Sequence, residues 1–93
     1  MSDREKQFWD LVEEFIAIAN QKADAVDPSL VSDAMLYTAA RFNAYAAAAG
    51  TAERREFKEE LDDIRTMLMD QFEAMLNANL DDYLENYKVL LER

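Results

Sequence analysis

Residues 27–51 read DPSLVSDAMLYTAARFNAYAAAAGT. This stretch decides the fold. Asp27 can cap a helix, and Pro28 suits its first position, where a missing N–H costs nothing. Ser32 is a rival cap four residues on. Gly50 suits the position just past a helix end, where φ is usually positive. The spacing therefore predicts a helix over 28–49. Val31, Met35, Ala39, Phe42, Ala46 and Ala49 share one face; Leu36, Ala40, Asn43 and Ala47 share a second; Tyr37, Arg41, Tyr45 and Ala48 share a third. Only Asp33 and Arg41 are charged within it. A helix apolar nearly all round is expected at the centre of a fold or inside a subunit contact, shielded from water on most sides.

The flanking sequence is helical too. Ser2 with Glu5 forms a capping-box pattern, which predicts a helix over about 3–25. Phe8, Val12, Phe15, Ile16, Ala19, Ala23 and Val26 recur along one stripe of it, and Trp9, Leu11 and Ile18 widen that stripe. Downstream, Thr51 reads as a cap for a helix over about 52–92. Its stripe runs from Phe57 through Leu61, Ile64, Leu68, Phe72, Met75, Asn79 and Tyr83 to Tyr87 and Leu90. The mean step is about 3.67 residues, nearer a straight helix than a heptad coiled coil. Either this helix is continuous, or it bends near Asn77–Asn79 with Asn79 capping a fourth helix. The expectation is one all-α domain over 1–93, a small bundle of three helices with the third long or bent to give a fourth.

Composition excludes several functions. The 93 residues carry 20 acidic and 10 basic side chains, a formal charge of −10, with no His, no Cys and one Gly. Imidazole and thiolate metal sites, disulfides and Cys–His or Ser–His nucleophile pairs lack their atoms. The Glu-x-x-His pattern of di-iron bundles cannot be built, and no Asp-x-Asp-x-Asp loop is present. One glycine cannot make a phosphate-cradling loop. The reading is a protein that is not an enzyme, with no catalytic residue, no metal site and no cofactor. The charged N-terminal decapeptide lacks the apolar core of a signal peptide. The least polar window, Ala34–Ala49, is too short and too rich in alanine to span a membrane. A cytoplasmic location is expected, without membrane or nucleic-acid partners. The only basic cluster, Arg54, Arg55 and Lys58, sits among glutamates as surface pairs such as Arg55 with Glu59 and Lys58 with Asp62.

Two groups of residues remain as candidates. Tyr37, Arg41 and Tyr45 stand at i, i+4 and i+8, with Asn43 nearby. There the guanidinium could grip an anionic ligand, or form a structural ion pair with Glu13, Glu14 or an acid of the third helix. Leu80, Tyr83, Leu84, Tyr87, Leu90 and Leu91 load the C-terminal stretch with apolar surface that would seek a second subunit. A short chain without disulfides or metal gains burial by association. The leading expectation is therefore a homo-oligomer acting through protein–protein contacts. The alternatives are an anionic-ligand module centred on Arg41 and an acidic regulator of a basic protein, the latter from the base-free run between Arg65 and Lys88.

Three stretches, FWDLVEEFIAIAN at Phe8–Asn20, VSDAMLYTAARFNAYAAA at Val31–Ala48 and NLDDYLENY at Asn79–Tyr87, resemble an uncharacterised family of short, acidic, all-helical bacterial proteins, the domain of unknown function 3144 type. The resemblance covers about Phe8 to Tyr87, and Arg-Phe-Asn inside an alanine-rich helix is its most distinctive part. It implies a bacterial, cytoplasmic, helical protein and transfers no activity or catalytic residue.

Overall fold

The computed structural model describes residues 2–91. It is all-α: α1 (Asp3–Ala23), α2 (Pro28–Ala49), α3 (Arg54–Glu85) and the single turn α4 (Tyr87–Leu90). No strand occurs among the described residues. Three substantial helices and a short fourth match the expected fold class. The chain divides into two units, Met1–Ala44 and Tyr45–Arg93.

In the first unit the local signals act as expected at both helix starts. The Glu5 amide donates to Ser2 Oγ at 3.1 Å, and the same hydroxyl donates to a Glu5 carboxylate oxygen at 3.4 Å. Such caps are worth ~1 kcal/mol each. Asp3 and Glu5 also place negative charge in the first turn, where the helix dipole favours it. At α2 the Ser29 amide donates to Asp27 Oδ1 at 3.0 Å, and the Asp27 carbonyl accepts from Leu30 and Val31. Asp27, rather than Ser32, is the cap, with Pro28 first in the helix. Helix α1 stops two residues short of its expected end: the amides of Ala25 and Val26 both donate back to the Lys22 carbonyl, closing the last turn just ahead of the Asp27–Pro28 start.

The second unit departs from expectation in two places and decides between two alternatives in a third. First, Thr51 does not cap α3. Its hydroxyl turns back and donates to the Ala48 carbonyl at 2.7 Å. The helix starts at Arg54, with Glu53 extended in the capping position but making no side-chain cap bond. Glu56 serves instead, accepting from the Ala52 amide at 2.8 Å. Second, Gly50 has no positive φ. Its amide continues the α2 ladder to the Ala46 carbonyl at 3.2 Å, so the left-handed cap is not formed. Of the two alternatives for α3, the continuous helix is the one found through Asn77–Asn79. Asn79 donates its side-chain amide to the Met75 carbonyl at 2.7 Å, which satisfies it inside a continuous helix. The break falls at Asn86, with φ −112° and ψ 25°. There the side chain donates to both the carbonyl and the carboxylate of Asp82. The expected end of the helix at residue 92 lies outside the described residues.

The largest correction concerns burial. No described residue is buried, in α2 or elsewhere. Val31, Ala47 and Ala48 are half-buried, and the rest of α2 is exposed. Within the first unit, no Cα of α1 lies within 8 Å of a Cα of α2. The periodic stripes exist as written, and the large apolar side chains on them stand exposed. The ion pairs are surface pairs: Lys6–Asp10 at 2.8 Å, Arg55–Glu59 at 3.2 Å and Arg65–Asp62 at 2.9 Å. Asp62 thus pairs with Arg65 and not with Lys58. Pairs this exposed add a few tenths of a kcal/mol at most (~0.3–0.5).

Candidate functional site

The first unit carries an open groove of about 880 Å³. Its first wall is Phe15, Ile18, Ala19 and Lys22 of α1, at i, i+3, i+4 and i+7, with Val26 from the turn that follows. Its α2 wall comes in adjacent pairs one turn apart: Leu30 and Val31, Ala34 and Met35, Thr38 and Ala39, Phe42 and Asn43. A helical repeat stacks such residues on one side of each rod. The groove is therefore the meeting place of the α1 stripe with two neighbouring faces of α2.

Its chemistry is plain. The lining is almost wholly hydrocarbon, and Lys22 is its one charged residue. No carboxylate lines it, although the chain carries 20. The apolar side chains are wet: Phe15 and Leu30 are each 60% exposed, and Phe42 is 64% exposed. The lining holds no His, Cys, Asp or Glu, and its polar groups are Lys22, Thr38 and Asn43. Among the described residues no three carboxylates converge as a cation site.

The groove does not gather the Arg41 group. Asn43 lines it; Arg41 and Tyr37 do not. Arg41 is exposed on α2, with no ion pair to any described residue. A solvated guanidinium has no need of the partner that a buried one would require. Tyr37 and Tyr45 are exposed too. In the second unit, Leu80, Tyr83, Leu84, Tyr87, Leu90 and Leu91 are all exposed. A smaller cavity of about 340 Å³ lies at the α3–α4 junction, lined by Leu84 to Val89. The groove as a whole was not anticipated as a site. Its signal lies in the apolar stripe of α1 and the apolar faces of α2.

No described helix is long and apolar enough to cross a membrane. No curated protein and no solved structure matches the chain. One family model does match, over residues 8–84, and its description is a protein of unknown function, DUF3144. That span takes in every residue that lines the groove and nearly all of α3, so the chain belongs to the DUF3144 family.

Proposed function

We propose that this protein is a small acidic helical protein that works by protein–protein contact, not by catalysis, and that it self-associates. One observation carries the reading: no described residue is buried, while large apolar side chains stand exposed along every long helix. A chain of this size without disulfide or metal must bury apolar surface to hold its fold. With none buried inside one copy, association is the remaining source. The C-terminal face around Leu80, Tyr83, Leu84 and Tyr87 is proposed as a second contact surface, open to a protein partner. A cytoplasmic location fits the reading.

Light scattering across a dilution series tests it. Self-association gives a mass above that of one chain and a helical signal that falls on dilution. A strict monomer at high micromolar concentration, with full helix content, would remove the proposal.

A further inference from the structure

We infer that the α1–α2 groove is a self-docking surface: two copies of the first unit face each other across a two-fold axis, and each fills the other's groove to make a four-helix assembly. This rests on the self-association proposed above and assigns it a place.

Three observations select a second copy as the occupant. The first is area. A stable interface needs ~800 Å² from each partner. Of the large apolar side chains that line the groove, Phe15, Ile18, Val26, Leu30, Met35 and Phe42 are exposed at 38–64% each. At ~150–250 Å² for a fully exposed aromatic and less for the aliphatics, they supply ~600 Å², most of what one partner must give. The second is charge. Two chains of −10 repel each other wherever carboxylates meet. The groove presents no carboxylate and a single lysine, so two copies can meet there without opposing carboxylates, and the two Lys22 side chains are the only like charges brought in. The C-terminal face, by contrast, carries Asp81, Asp82 and Glu85 beside Leu80 and Leu84, which would stand against their own copies across a two-fold axis. The third is shape. The walls of the groove are α1 and α2, with no Cα pair between them within 8 Å. Side chains of a facing helix pair therefore have room to enter, as ridges enter grooves in helical bundles. An isologous contact closes at two copies and leaves no open end.

The test uses charge reversal inside the groove of the full chain. Ala39 lines it, and Glu and Lys are both good helix formers, so Ala39→Glu and Ala39→Lys keep the rod intact. Each variant alone should lose self-affinity by about 100-fold or more, because each buries two like charges together. Mixed one to one, the two should associate again as a heterodimer, since each charge then faces its opposite. Leu80→Glu on the C-terminal face should change self-affinity by less than about threefold. Circular dichroism confirms that every variant keeps its helix content. Three results would overturn the inference. One is dissociation by Leu80→Glu with the groove variants unaffected. Another is loss on Ala39→Glu and Ala39→Lys without recovery on mixing, which would mean that the groove holds some other segment. The last is a monomeric wild type that takes up palmitate in the groove. The first two leave self-association standing, and the monomer removes both.

Discussion

Truncation of Ile18 to alanine measures what the groove contributes. Ile18 lines it from the middle of α1 and is 53% exposed in the single chain. The change removes three carbons, worth ~2.4 kcal/mol if fully buried at ~0.8 kcal/mol per methylene. About half of that, ~1.2 kcal/mol, is still to be gained when a second copy covers the groove. Two-fold symmetry counts the loss twice, giving ~2.5 kcal/mol, or about 60-fold in Kd. Alanine is also the better helix former by a few tenths of a kcal/mol (~0.4), so the isolated chain should not lose helix. Sedimentation equilibrium over a dilution series reads the Kd, and far-ultraviolet circular dichroism reads the helix. Tyr37→Ala serves as the control, since Tyr37 is 70% exposed and stands off the groove. If Ile18→Ala moves the Kd by less than about threefold while Tyr37→Ala moves it as much, the reasoning is refuted.

Gly50→Ala should stabilise the protein by ~0.4–1 kcal/mol in a thermal melt at fixed concentration. Gly50 has no positive φ, and an added Cβ would meet only the carbonyls of Ala47 and Ala46 at 3.5 and 3.6 Å; a lowered melting point would contradict that geometry. Asp27→Ala should cost ~0.5–2 kcal/mol through the lost bond from the Ser29 amide, and a neutral result in the same melt would show that the cap is not used. Asn79→Ala should leave helix content unchanged or slightly raised, because Asn79 bonds back to Met75 inside α3 and caps nothing; a fall in ellipticity would restore the bend. Arg41→Ala should change stability by no more than ~0.5 kcal/mol, as expected of an exposed residue without an ion pair, and unfolding of this variant would show that Arg41 is structural.

Particular residues show how far the chain could be read. Ser2 with Glu5, and Asp27 with Pro28, marked the starts of α1 and α2 because a capping oxygen acts within three residues of its amide. Thr51 misled because a hydroxyl has two local partners. It could meet the new helix ahead or the last carbonyls of α2 behind, and it took Ala48. Asn79 left two outcomes open, a cap or an interior position, since an Asn that reaches the carbonyl four residues back is satisfied without any break. Asn86, about two turns later, has the same back-bond and yet ends the helix. No pattern in the residues around them separates the two.

Local chemistry, held within a few residues of each position, was enough for the class of fold, the three long rods and the apolar side of each. Those follow from caps, propensity and a repeat of 3.6, all of which act along one helix. What covers those sides was a different matter. An apolar stripe has the same spacing whether a neighbouring rod, a second copy or water lies against it, because the hydrophobic effect is non-directional and its periodicity records a face without recording its partner. An alanine-rich helix apolar nearly all round fits a covered centre or a subunit contact alike. In three dimensions that helix is one wall of an open groove, and its wet hydrocarbon is what directs attention to a second chain.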